Sequence, residues 1–409
     1  MERMNYVERI IEPLLRHTLE RGKSIFLFGA RQTGKTTLVS RLEPQLSISF
    51  IRPDVRHRYE KAPSLLAGEV EALSSGSAGG LPLVILDEVQ KVPEILDVVQ
   101  DLIDRRVALF LLTGSSARKL RRHAQANLLP GRVTVLHLDG FGLQEWPHES
   151  LESRLLDGAL PGIVGIGNLQ DREEDLSAYV TTYLEEEIRA EAAVRHLGSF
   201  ARFLELAAAE SGGIVNLRKL ASEIGVAHTT IASYYQILED CLIAERIESL
   251  STSATRKKLT RTDRFLFFDL GVRRLAAREG RQPPREQWGK LFEQFVGLEL
   301  LKYFRAQRSR VKVRFWRDPD GPEVDWVLDC EGVYVPIEVK WTDSPETSDA
   351  RHLHCFLSEY PTAGQGYIVC RVPRKTKISE QVTALPWQTF LEEIAPKKLG
   401  SLESVKKCQ

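Results

Sequence analysis

Apolar positions recur along the chain in two rhythms, short unbroken runs and helical stripes, and their order predicts the layout. Ser24-Ile-Phe-Leu-Phe28, Leu81-Pro-Leu-Val-Ile-Leu86 and Val107-Ala-Leu-Phe-Leu-Leu112 are apolar runs of strand length separated by helix-compatible stretches. Unbroken apolarity marks a strand covered on both faces, so residues 20–148 read as a parallel α/β sheet. Met1 to about Leu19 reads as an amphipathic helix leading into the first strand, and Ser74–Gly80 as a flexible link. From about 150 to 245 the pattern turns helical, charged from Asp171 to Arg195 and apolar from Phe200 to Ala209. Residues 214–243 carry helix-turn-helix spacing. Leu217, Leu220, Ala221 and Ile224 share one face, Gly225-Val226 makes the turn, and Ile231, Tyr235 and Leu238 point inward from a second helix. Leu242-Ile-Ala244 and Arg264-Phe-Leu-Phe-Phe268 supply the strands of a wing. Beyond the Gly280–Pro284 boundary, a helix from Trp288 to Phe304 precedes strands at 311–316, 323–328, 333–340 and 366–371, a separate α+β unit. The expected division is 1–150, 151–275 and 285–395, with a frayed end after about Pro396.

Composition narrows the class. The 409 residues carry 56 Lys plus Arg against 56 Asp plus Glu, so no global field draws the chain to nucleic acid or membrane. Five scattered cysteines without a C-x-x-C pair are no disulfide framework and fit a reducing interior. His352, His354 and Cys355 lie together, but no second ligand pair has zinc spacing. No run approaches 18 apolar residues and no signal pattern is present, so the expected setting is cytoplasmic, without membrane.

The chemistry concentrates at two places. Gly29-Ala-Arg-Gln-Thr-Gly-Lys-Thr36 is a complete G-x-x-x-x-G-K-[ST] loop between a strand and a helix. Gly29, Ala30, Arg31, Gln32, Thr33 and Gly34 would turn main-chain N–H groups toward phosphate, and Thr36 and Thr37 open the helix whose dipole assists. Lys35 would reach the β- and γ-phosphates of ATP, and the Thr36 hydroxyl would bind Mg²⁺. Asp87 and Glu88 end the second apolar run, Asp87 placed to hold Mg²⁺ through water and Glu88 to deprotonate the attacking water. Thr113-Gly-Ser-Ser116 ends the third, where hydroxyls including that of Ser115 would border the γ-phosphate or simply make a Gly-Ser turn. At the other end of the chain, Glu293 lies on the expected helix, Asp325 in Glu323-Val-Asp325, and Glu338 and Lys340 on one face of the next strand. Two carboxylates and a lysine on neighbouring strands form a restriction-endonuclease-like metal pattern, or else solvent-facing edge charges. Lys302, Arg305, Arg308, Arg310, Lys312, Arg314 and Arg317, interleaved with Tyr303, Phe304, Phe315 and Trp316, form a band suited to phosphate contact or a solvated face. A second patch is Arg256-Lys-Lys258 with Arg261 and Arg264. The would-be recognition helix has no Arg or Lys, and Gln236 is its one base-reading side chain, which argues against major-groove reading.

With these residues in hand, the chain resembles prokaryotic AAA-type ATPases joined to a C-terminal domain of unknown function. GARQTGKTT, LDEVQKVPEIL, LTGSSARKL, LLPGRV, YLEEEIR, NLRKLASEIGVAHTTIASYYQILED, FLFFDLGVRR, LFEQFVGLELL, RDPDGPEVD and PIEVK occur in that family's order, over residues about 5 to 375. The resemblance implies a P-loop AAA/RecA-like α/β domain, a helical and winged-helix middle, and an α+β restriction-endonuclease-like end. It also implies ATP hydrolysis with Mg²⁺, DNA as a partner, and a homo-oligomer, ring or head-to-tail. The arginine of its L-x-G-R block, Arg132, is the expected trans-acting arginine, with a structural salt bridge as its other reading. Two stretches depart from the family: Gly140-Phe-Gly142, where a proline–serine pair is usual, and Gly158-Ala-Leu-Pro-Gly162, where a Gly-Gly-aromatic-Pro-Glu block is usual. Both touch the link between the core and the helical part.

Overall fold

The computed structural model describes residues 6–74, 80–116, 131–184, 197–250, 263–318 and 321–394. The Ser74–Gly80 link, much of the LLPGRV and YLEEEIR blocks, the patch at Arg256, Lys257, Lys258 and Arg261, and the end after Pro396 thus lie wholly or largely outside the described residues.

Strands β1 (Ser24–Phe28), β2 (Leu46–Ser49), β3 (Leu83–Asp87), β4 (Leu109–Gly114) and β5 (Val133–His137) form one parallel sheet ordered β2-β3-β4-β1-β5. Alternation of side chains decides which core each residue joins. Phe26 and Phe28 enter one core with Val84, Leu86, Phe110 and Leu112, while Ile25 and Leu27 enter the opposite core with Ile85, Leu111, Leu15 and Leu38. β2 and β5 fall outside the apolar runs because they are the sheet edges. Val135 of β5, for instance, is exposed. The first helix is Glu12–Glu20, shorter than expected, with Pro13 in its first turn setting the start.

The middle segment contains helices Leu151–Asp157, Pro161–Val164, Leu169–Ala178, Leu197–Ala209, Leu217–Ile224 and His228–Asp240. Leu160, Tyr179, Phe203, Leu220, Ile231 and Leu238 share its core. Asn216 caps the Leu217–Ile224 helix at the Lys219 N–H, and Gly225 ends it at φ 80°. β6 (Ala244–Glu248) and β7 (Asp263–Phe267) then pair antiparallel as a ribbon, followed by helix Leu270–Ala276. The two stretches that depart from the family meet here. Phe141 N–H donates to the Ala159 carbonyl at 2.7 Å, and Asp269 accepts from the Ala159 and Val272 N–H groups at 2.7 and 3.0 Å.

The C-terminal segment is a six-stranded mixed sheet ordered β12-β13-β11-β10-β9-β8. Its strands are β8 (Lys312–Arg317), β9 (Glu323–Cys330), β10 (Val333–Val339), β11 (Gly366–Cys370), β12 (Thr376–Lys377) and β13 (Val382–Pro386). β8, β9 and β10 run as an antiparallel meander, and β10, β11 and β13 are parallel. Helix Arg285–Ala306 covers one face and helix Arg351–Glu359, between β10 and β11, covers the other. The first of these faces also takes Ile247 and Leu266 from the ribbon and Leu143, Leu151 and Leu155 from the preceding segments, so one core joins all three parts.

Gly297 sets the distance between that helix and the sheet. A Cβ there would lie 2.2 Å from the Trp326 ring, whose indole N–H donates to the Glu293 carbonyl at 3.0 Å. A mid-helix Gly→Ala change ordinarily gains about 1 kcal/mol, whereas overpacking a filled core costs about 1–3 kcal/mol and sometimes more. Backbone cannot yield to a fused ring, so overpacking wins. Gly297→Ala is expected to lower stability by about 2 kcal/mol in chemical denaturation; a gain would mean that helix and sheet separate readily.

Candidate nucleotide site and carboxylate cluster

Parallel pairing delivers three strand ends to one edge of the first sheet. From β1 the loop passes through Gly34, at φ 91°, into helix Lys35–Val39. Gly29 has a different need: a Cβ there would sit 2.4 Å from the Leu138 carbonyl oxygen. Lys35 is buried, its Nζ donating to the Gly29 and Ala30 carbonyls at 2.8 and 3.0 Å and lying 3.9 Å from Glu88 Oε1. Asp87 Oδ1 accepts from Thr113 Oγ1 at 2.5 Å, and its Oδ2 from Ser49 Oγ at 3.1 Å and Thr36 Oγ1 at 3.4 Å. Glu88 is held in the left-handed region at φ 60°, uncommon for a non-glycine residue. Its Oε2 accepts from Ser115 Oγ at 2.9 Å and from Gln90 Nε2, and its N–H donates to Thr113 Oγ1 at 3.0 Å. The Thr113 and Ser115 hydroxyls therefore bond the two acids. The Thr33 hydroxyl donates to the Ala30 carbonyl at 2.8 Å, the Arg31 carbonyl accepts from Tyr179 at 3.4 Å, and Gln32, Thr36 and Thr37 are exposed. Thr36 hydroxyl and Asp87 carboxylate are hard oxygen donors side by side, a set that fits Mg²⁺.

Arg9, Ser49, Gln90 and Asp139 were not legible as site residues. Arg9 lies about twenty residues before the loop, with no local motif around it. Its buried guanidinium donates to the Thr33 carbonyl at 2.7 Å, the Asp139 carbonyl at 2.6 Å and Glu145 at 3.0 Å, and stacks over Phe141. Asp139 in turn pairs with Arg305 at 2.7 Å, and Arg305 also pairs with Glu245 on β6. A continuous set of contacts thus runs from the phosphate loop to the ribbon. A cavity of about 610 Å³ between Gly29, Ala30 and His137 on one side and Gln236 and Asp240 on the other separates the loop from helix His228–Asp240.

Arg132 lies beside Val133, the β5 residue paired with Ser24 at the start of β1, so it is at the opposite end of the sheet from its own loop. It makes two bonds to Asp104, at 2.6 and 2.9 Å. The basic band is largely matched by acids that sequence order hides. Lys302 pairs with Glu299, Arg305 with Asp139 and Glu245, Arg310 with Glu331, Arg314 with Glu248 and Asp329, and Arg317 with Glu323. Phe304, Phe315 and Trp316 are buried and cannot stack on bases.

In the C-terminal sheet, Ile337 opposes Trp326, and continuing that register sets Glu338 against Asp325. Asp325 Oδ2 accepts from Val339 N–H at 2.8 Å, and Glu338 Oε1 from Lys340 Nζ at 2.7 Å. Glu338 Oε2 is buried without a hydrogen-bond partner. Glu293, brought alongside by the close helix packing, accepts from Arg264 Nη1 at 2.8 Å. Lost hydration first, and repulsion from Asp325 second, push both Glu293 and Glu338 up to about 8. Burial likewise raises Asp325. Among the described residues no three His, Cys, Asp or Glu side chains converge as a ready metal-ligand set, so in this arrangement the four predicted residues are neighbours without a common focus.

Residues 21–146 match the family model described as AAA domain, residues 148–282 a domain of unknown function (DUF8612) and residues 288–390 another (DUF4143). Uncharacterized proteins Rv2008c of Mycobacterium tuberculosis and Mb2031c of Mycobacterium bovis are each 27% identical over 384 residues, covering 92% of this chain and 83% of theirs. Among solved structures, the Bacillus subtilis DNA clamp loader delta protein (YqeN) aligns at TM-score 0.26 and 13% identity, over 56% of this chain and 87% of that one. A structure of Pif1 helicases on forked DNA aligns at TM-score 0.21 and 13% identity, over 44% and 53%. Likeness this slight carries no argument. Among the described residues no helix is long and apolar enough to cross a membrane.

Glu338 yields a pH test. A carboxyl raised from 4.5 to about 8 binds a proton in the folded chain over a range where the unfolded chain has lost it. Stability from this group is therefore complete below about 4.5 and lost as pH rises through about 8. With EDTA present, Glu338→Gln is expected to raise Tm at alkaline pH and to have little effect at acid pH. A Tm difference that stays flat across the range would remove the burial argument.

Proposed function

We propose that this chain binds ATP with Mg²⁺ at its AAA-type domain, hydrolyses it, and uses the cycle to act on DNA through its middle and C-terminal segments. The observation that carries the reading is the meeting of Lys35, Thr36, Asp87 and Glu88 at one sheet edge, with Lys35 Nζ 3.9 Å from Glu88. Mg²⁺, when bound, would neutralise charge on the β- and γ-phosphates. Lys35 would exchange its two carbonyl partners for phosphate oxygens, and Thr36 and Asp87 would hold the cation. Glu88 would take a proton from the attacking water, its position kept by Ser115 and Gln90. Arg132 cannot serve its own subunit's loop from the far end of the sheet. In the proposed head-to-tail oligomer it would leave Asp104 for a neighbour's γ-phosphate.

A second reading, an ATP-driven switch whose C-terminal half binds protein, is favoured by the internal neutralisation of the basic band. A third function, metal-dependent cleavage at Glu293, Asp325, Glu338 and Lys340, would need those carboxylates to take a divalent cation. The experiment that separates them is ATP turnover with single-stranded, duplex and four-way junction DNA over a salt series. Stimulation that falls steeply with salt supports DNA; turnover indifferent to every nucleic acid supports the protein-binding switch. Mn²⁺-dependent nicking lost in Glu338→Ala would support cleavage.

Two sets of variants test the mechanism. Lys35→Ala is expected to abolish ATP binding, and Glu88→Gln to bind ATP without turning it over; unchanged turnover in Glu88→Gln would remove the mechanism. Arg132→Ala is expected to slow turnover by roughly 10³-fold with nucleotide affinity nearly unchanged, whereas collapse of binding would make its role structural.

A further inference from the structure

The carboxylate cluster draws one of its cations from another part of the chain. Glu293, Glu323, Asp325 and Glu338 all belong to the C-terminal segment, which meets them with Lys340 at 2.7 Å from Glu338 and Arg317 at 3.7 Å from Glu323. Arg264 comes instead from β7 of the ribbon and is 2% exposed. Its Nη1 donates to Glu293 at 2.8 Å and to the Asp325 carbonyl at 3.3 Å, its Nη2 donates to Glu323, and its guanidinium lies 4.4 Å over the Phe315 ring.

Two features distinguish this arrangement from a finished structural ion pair. Arg264 Nε and Glu338 Oε2 are both buried without a hydrogen-bond partner, a cost a settled polar network avoids. The carboxylates are also turned apart, Glu293 toward Arg264 and Glu338 toward Lys340, so the oxygen-rich cluster has no shared focus. A cavity of about 460 Å³, bordered by Arg264, Glu293, Glu323, Lys290 and Gly212, opens onto the Arg264 side.

We propose that Arg264 is the resident counter-ion of this cluster, and that a hard divalent cation competes with it for Glu293, Asp325 and Glu338. Cation binding and the seating of the β6–β7 ribbon then exclude one another. The proposal rests on the reading that these carboxylates take a divalent cation. Six to eight oxygen ligands or an octahedral set need the carboxylates free to converge, which the guanidinium prevents while it holds Glu293. The same ribbon is tied through Glu245 and Arg305 to Asp139, beside the Arg9 contact with the phosphate loop. Displacement of the ribbon would therefore be felt at both ends of the molecule.

The test uses the full nucleotide-free chain and Mn²⁺ as probe, reading Mn²⁺ affinity by calorimetry and Tm with and without the ion. Arg264→Met keeps the stem and removes the charge. It is expected to bind Mn²⁺ about tenfold more tightly than the unchanged chain and to gain more Tm from Mn²⁺. Both gains should vanish when Glu338→Gln is added. Folding of Arg264→Met only with Mn²⁺ present would count equally in favour. Equal affinities in the two proteins, both lowered by Glu338→Gln, would overturn the competition while leaving the cation site standing. No Mn²⁺ binding sensitive to Glu338→Gln in either protein would remove the site itself and the proposal with it. If Arg264→Met does not fold at all, Arg264→Lys decides: its shorter cation cannot span Glu293 and Glu323, so affinity should still rise, and no rise overturns the proposal.

Discussion

Parallel pairing of β1 with β4, and of β4 with β3, is the constraint on which the candidate nucleotide site depends. Residues fifty to eighty positions apart reach one edge only because three strands start together and end together. That pairing is maintained by apolar cores on both faces, Phe26 and Phe28 below one and Ile25 and Leu27 below the other. Antiparallel pairing of the same runs would send Asp87 and Glu88 to the far end from Lys35. The strain at Glu88 and the burial of Lys35 are tolerable only on such a platform, where neighbouring hydroxyls and carbonyls supply the partners.

Beyond the platform, the segments are joined by buried charge as well as by apolar contact. Asp269 binds the Ala159 N–H, Arg305 bridges Asp139 and Glu245, and Arg264 reaches into the C-terminal cluster. Buried ion pairs seldom add much net stability, because desolvation offsets attraction, but breaking one leaves a costly unpaired charge. Such joints hold one arrangement and resist gradual change. A nucleotide-driven motion in this chain would accordingly pass between discrete pairings rather than bend the seams.

Several elements were visible in the chain because their signals are local. The phosphate loop, the acids after Leu86, the helices beginning at Leu217 and His228 and the strands of the C-terminal meander each carry their pattern within a dozen residues. Elements that escaped were those whose surroundings mask the pattern. β2 and β5 are edges with mixed burial, β12 has two residues, and helix Arg351–Glu359 is polar on the side away from the sheet. The basic band misled for the opposite reason. Its acids, from Asp139 to Glu331, lie elsewhere in sequence and become neighbours only on folding.

By itself the sequence determined the loop that can cradle phosphate, the acids able to work beside it, and the residue types of the C-terminal cluster. Those depend on side-chain chemistry and short spacing, which a linear chain already contains. Only the tertiary structure decided that Arg9 buttresses the loop, that Arg132 stands at the wrong end of its own sheet, and that Arg264 sits among Glu293, Glu323 and Asp325. Each is a long charged side chain whose partner is set by packing between distant segments, and the identity of the nearest opposite charge is written nowhere in local order.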